Sequence, residues 1–145
     1  MQSMIDSTIE EHLAKTGKFI YSNKGVSMLP LIRQGGDLIR VEPIKGKLKK
    51  YDVVLYKRSE GLYVLHRIIK VRDYDYVICG DNCWTKEYVN DQRIIGVLTA
   101  VIRDGKEIPV THWMYRLYVH LWCDLFPVRA FILHGISWIK RLVKK

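Results

Sequence analysis

The chain has 145 residues, 48% of them hydrophobic, with a formal net charge of +9. It is long enough to bury one real core, and with no long Pro/Ser/Gly-rich linker and no internal repeat it reads as a single globular unit rather than a string of modules. Three cysteines, Cys79, Cys83 and Cys123, form no Cys-x-x-Cys pair, which speaks against a disulfide framework and a zinc site and for small core residues.

The amino-terminal residues suggest a short helix, because Ile5, Ile9, His12 and Leu13 recur at helical spacing and Thr16-Gly17-Lys18 supplies a stop. Asp6, Glu10 and Glu11 interrupt it, so it lacks the apolar run of a signal peptide. From Lys18 to Ile108 short strands are expected: Phe19 to Ser22, Leu38 to Glu42, Val53 to Lys57, Leu62 to Val71, Tyr74 to Cys79 and Ile94 to Arg103. Ser59-Glu60-Gly61 and Arg72-Asp73 suit reversals, and Asp104-Gly105 is a hairpin signal because both residues tolerate positive φ. Alternation in Leu62 to Arg67 puts His66 and Arg67 on opposite faces of their strand. Such a meander predicts a mainly β, partly open, barrel-like domain over residues 1–110.

Residues 111–145 change character. Two amphipathic helices are expected, one rich in Trp113, Tyr115, Leu117, Tyr118, Leu121 and Trp122, the other running from Val128 to Lys145, with a break at Pro127. A bilayer span needs roughly 20 mainly apolar residues, and Arg116, Asp124, Pro127 and Arg129 interrupt every such window. Two readings of this tail stand level: helices lying in a lipid headgroup layer, or helices folded over the β domain with their aromatics as core. The remaining histidines, His12, His112, His120 and His134, show no ligand spacing, and no metal site is read from them. The positive charge is dispersed, with Lys45, Lys47, Lys49 and Lys50 in one loop and a second cluster at the carboxy terminus, so no nucleic-acid partner is expected.

Chemistry concentrates at two positions. Gly25-Val26-Ser27-Met28-Leu29-Pro30 describes a tight turn presenting Ser27, since glycine reaches torsions closed to other residues and proline holds its own φ. A serine hydroxyl attacks an amide only with a base beside it, and His66 supplies the residue type whose unperturbed pKa of about 6.5 leaves it neutral at cellular pH. On those residues alone a solvated turn serine is the better account of Ser27. Asp81, in Gly80-Asp81-Asn82 at a strand end, is either the group that orients His66 or an aspartate closing its own turn.

Taken in order, Gly25 to Pro30, Gly36-Asp37, Lys50 to Val54, His66 to Ile69 and Gly80 to Asn82 resemble the successive motifs of the signal peptidase I superfamily, over roughly residues 19 to 105. The resemblance is to the histidine branch, the archaeal and endoplasmic-reticulum type, rather than to the lysine-dependent bacterial and LexA-like members; Lys70 lies four positions too late to match. It implies a serine endopeptidase on a β-rich fold, with Ser27 as nucleophile, His66 as general base and Asp81 as third member, Glu87 being the reserve. No cofactor is implied. Where many members carry a serine two residues before the nucleophile this chain has Gly25, so an oxyanion would rely on backbone N–H groups, Ser27's own first. The implied partner is a leader or signal peptide cut after small residues. With the family's usual amino-terminal anchor not seen, the expected location is peripheral to a membrane, at its cytoplasmic face rather than beyond it. A noncatalytic, peptide-binding relative of the same fold is the rival expectation.

Overall fold

A computed structural model describes residues 2–22, 25 and 27–144; Val26 and Lys145, with the side chains of residues 2–8 (Ile5 and Asp6 among them) and of Phe126, fall outside the description. The elements run α1 (Gln2–Thr16), β1 (Phe19–Ser22), β2 (Asp37–Glu42), β3 (Val53–Lys57), β4 (Tyr63–Val71), β5 (Tyr76–Cys79), β6 (Glu87–Val89), a short 3-10 turn (Asp91–Arg93), β7 (Ile94–Arg103), β8 (Lys106–Pro109), α2 (Trp113–Cys123) and α3 (Phe126–Val143). The fold is mainly β. Gly17 ends α1 as expected, at φ 75°, with its N–H bonded to the Leu13 carbonyl at 2.9 Å.

All strand pairings are antiparallel, and the order is β1-β2-β7-β3-β4-β5-β6, with β8 paired to β7. β1 and β6 are not paired to each other, so among the described residues the sheet stays open rather than closing into a barrel. The ten-residue β7 organises it, meeting β2 along one edge and β3, then β8, along the other. Asp104 and Gly105, at φ 53° and 76°, make the turn whose second arm is β8. The three-residue β6 carries no apolar pattern of its own; its pairing with β5, Ile78 opposite Glu87, is what makes it a strand.

Core side chains lie on both faces of β3. Val53 and Leu55 join Met28, Ile32, Ile39, Leu65 and Leu98 on one side, where Ile9 and Leu13 of α1 cover them. Val54 and Tyr56 join Leu48, Ile68, Ile78 and Ile94 on the other. A strand buried on two faces shows no polar alternation. His66 and Arg67 do face opposite ways along β4, and both are buried.

α2 packs through Tyr115, Val119 and Cys123 against Leu31, Tyr51 and Val110, which lie in the connections between and after the strands. Pro127, expected as a break, stands in the first turn of α3, where its missing N–H has no intrahelical partner to lose. Among the described residues no helix is long and apolar enough to cross a membrane.

Candidate active site

The turn that carries Ser27 is held by its neighbours. Gly25 adopts φ 129°, open to glycine and strained for other residues. Met28 and Ile32 are buried on the core side of the turn, and the Ile32 N–H closes a helical turn on the Met28 carbonyl at 3.0 Å. Ser27's own carbonyl accepts the Asn82 N–H at 2.8 Å, which couples the first motif to the Gly80-Asp81-Asn82 turn 55 residues later.

His66 stands on β4 opposite Val54 of β3. Its Nδ1 lies 3.3 Å from the Tyr56 phenol oxygen, which donates its one proton to Glu87 Oε2 at 2.7 Å. The phenol oxygen can therefore only accept from His66, which selects the imidazole tautomer with hydrogen on Nδ1 and leaves Nε2 with a free lone pair. Glu87 is also bonded by Arg58, through Nε at 3.3 Å and through Nη2 to its second oxygen. Burial lowers the His66 pKa below its ordinary value; the Glu87 carboxylate opposes that shift, Arg58 adds to it, and Asp81 opposes it more weakly. Burial also works on Glu87, in the raising direction, but the bonds from Arg58 and Tyr56 hold its pKa low.

Gly80 is where the motifs meet. A Cβ placed on it would lie 2.5 Å from the Ser27 carbonyl oxygen, 2.9 Å from Cys83 Sγ and 3.1 Å from His66 Nε2. The free nitrogen of His66 and the backbone of Ser27 therefore flank one point. Both residues line a cleft of about 500 Å³, together with Tyr63, Trp84 and Glu87. Among the described residues no hydrogen bond joins the Ser27 hydroxyl to His66, so their link is the shared cleft and the contact at Gly80.

Asp81 does not face His66 with its carboxylate. Both oxygens take a two-point ion pair from Arg67, at 2.9 Å each, and Tyr118 donates to Oδ2 at 2.7 Å; Arg67 and Asp81 are wholly buried. The expected direct orienting bond is replaced by one through Tyr56 to Glu87, because the arginine next to His66 points to the opposite face of β4 and captures the aspartate there.

The carboxy-terminal helices hold this turn. Trp122 Nε1 of α2 donates to the Asp81 carbonyl at 2.7 Å, and Arg129 Nη2 of α3 reaches the carbonyls of Gly80 at 3.5 Å and Cys83 at 3.2 Å. Tyr115 accepts from Arg67 at 3.2 Å. Tyr56, Arg58, Trp122 and Arg129 were missed by the sequence reading. Only strand register offered a signal, since Tyr56 follows by two residues, on the same face, the valine paired with His66. Cys79 and Cys123 are buried as expected, while Cys83 is half-buried and lines the cleft. Among the described residues no cluster of His, Cys, Asp and Glu is placed to hold a metal ion.

No model of a known protein family matches this chain, and no curated protein is detectably similar to it in sequence.

Proposed function

We propose that the protein is a serine endopeptidase of the signal peptidase I-like, histidine-base type, acting on a leader or signal peptide. The observation that carries the reading is the approach of His66 Nε2 and the Ser27 backbone to the same side of Gly80, at the wall of a shared cleft. A buried imidazole with its Nδ1 proton held by Tyr56 and its pKa lowered is neutral at cellular pH, as a general base must be.

In the proposed reaction His66 Nε2 takes the Ser27 hydroxyl proton as Oγ attacks the scissile carbonyl. The tetrahedral intermediate then collapses, the imidazolium returns that proton to the leaving amine, and an ester to Ser27 remains. Water, deprotonated by the same nitrogen, adds to the ester and releases the acid, restoring both side chains. Glu87 stabilises the imidazolium through Tyr56 rather than by direct contact. The Ser27 N–H is the first donor for the oxyanion, and with Gly25 in place of a hydroxyl-bearing residue turnover is slow, since one missing donor costs roughly 10²–10³.

Strand pairing supports an extended substrate. β4 pairs with β3 over Tyr63 to Arg67 but with β5 only from Arg67 to Val71. Among the described residues no strand pairs with the outer edge of Val64 to His66, beside the cleft those residues line, and a peptide can add there as a strand.

The test is cleavage of a peptide library with small residues before the bond, read by mass spectrometry, for the parent protein and for Ser27→Ala and His66→Ala. Each substitution is expected to lower cleavage at least ~10³-fold. A parent that binds peptides and cuts none, or variants that cut as well as the parent, would overturn the reading.

A further inference from the structure

α3 carries a face that the fold does not use. At about 100° per residue, Phe131, Ile132, Ile136, Trp138, Ile139 and Val143 fall within one sector of roughly 160°, and all six are exposed, Phe131 at 81% and Val143 at 80%. The opposite sector faces the body at the root of the helix, where Arg129 is buried against the Gly80 to Cys83 turn and Leu133 is half-buried. The helix is therefore anchored by its polar side, with its apolar side turned outward.

Its charge is one-sided. From residue 126 to the carboxy terminus the chain carries Arg129, Lys140, Arg141, Lys144 and Lys145 and neither aspartate nor glutamate. Lys140, Arg141 and Lys144 fall in the polar sector, flanking the apolar one along the last turns. A second copy of the same helix would set cation against cation with no acid to pair. A nucleic acid would engage the cations and leave the apolar sector in water. An anionic bilayer surface satisfies both at once: tryptophan, phenylalanine and aliphatic side chains enter the acyl boundary, and the cations meet the headgroups. Crossing is not required, and no described helix could do it.

We infer that α3 is a surface anchor that lies flat in the headgroup layer of an anionic lipid membrane, its Phe131–Trp138 face inserted and its carboxy-terminal cations over the lipid phosphates. Because Arg129 joins the root of α3 to the turn behind His66, docking holds the cleft near the membrane surface. This holds whether or not Ser27 is a nucleophile.

The experiment is flotation of the full chain with vesicles of phosphatidylcholine alone and of phosphatidylcholine with phosphatidylglycerol. The parent is expected to float with the anionic vesicles and to be released in part by salt. Lys140→Glu with Arg141→Glu is expected to reduce the bound-to-free ratio at least ~10-fold, given about fivefold per cation near an anionic surface. Phe131→Ser with Trp138→Ser is expected to abolish flotation while thermal unfolding stays that of the parent, because both side chains are exposed. A parent that stays unbound, or an apolar double variant that floats equally well, overturns the proposal. So does a parent that sediments as a dimer dispersed by the apolar double substitution and does not float, since the face then belongs to a second copy.

Discussion

Tyr56 stands between His66 and Glu87, its phenol oxygen 3.3 Å from the imidazole Nδ1 and 2.7 Å from the carboxylate. A phenol with one proton cannot donate to both, so the hydrogen order is directional, from His66 to Tyr56 to Glu87. Removing the relay with Tyr56→Phe is expected to lower peptide cleavage about tenfold, the equivalent of one hydrogen bond to a group that becomes charged. The effect should fall on kcat with KM little changed, since the imidazolium forms only during the reaction.

The pH dependence follows from the burial of His66. Its pKa lies below the ordinary 6.5, burial being the largest cause. The acid limb of kcat/KM should therefore have its midpoint below pH 6.5. Replacing Glu87 by Gln removes the carboxylate that pulls this pKa upward, so the midpoint should move to still lower pH. A pH-rate series on both proteins checks the direction of each shift.

Stability carries the same signature. Below pH 6.5 an unfolded histidine takes up a proton that the buried one refuses, so the unfolded state binds more protons. The stabilisation present above pH 6.5 should be lost as pH falls from there toward the folded pKa of His66, and His66→Gln should remove that part of the slope. Denaturant titrations across pH 4–7 measure it (~1.4 kcal/mol per pH unit at most for one group).

Asp81 and Glu87 are separable by what each holds. Asp81→Asn leaves the guanidinium of Arg67 buried without its counter-charge, a loss of about 3–5 kcal/mol. Thermal unfolding should fall by roughly 10 °C or more. Glu87 is partly exposed beside Arg58, so Glu87→Gln should leave unfolding close to the parent's while cleavage falls. Equal loss of stability in both would remove Glu87 from its positioning role.

Gly80 should tolerate no side chain. In Gly80→Ala the added carbon meets backbone at Ser27, which cannot swing aside as a flexible side chain would. A loss of about 1–3 kcal/mol is expected, together with most cleavage. Gly135→Ala in α3, where nothing lies within 4 Å of the new carbon, is the control and should stabilise by up to ~1 kcal/mol. Paired unfolding and cleavage measurements separate the two positions.

Much of the chain was legible residue by residue. Three of the expected strands, Phe19 to Ser22, Val53 to Lys57 and Ile94 to Arg103, stand at their expected bounds, because β-branched and aromatic runs closed by glycine or aspartate turns are local signals. β6 was not legible, since Glu87-Tyr88-Val89 is a strand only by virtue of β5 beside it. The face assignment of His66 and Arg67 was also local, following from the two-residue period of a strand.

Which acid each of those two residues receives was not local. The sequence by itself determined the β-rich order of elements, the tight turn under Ser27, the histidine on β4 and the amphipathic tail. Tertiary structure decided that Asp81 goes to Arg67, that Tyr56 and Glu87 go to His66, and that Trp122 and Arg129 reach back from the tail to hold the turn between them. The reason is physical: periodicity and turn chemistry depend on neighbours along the chain, whereas the partner of a buried charge depends on which strands lie side by side, and only the closed set of pairings settles that.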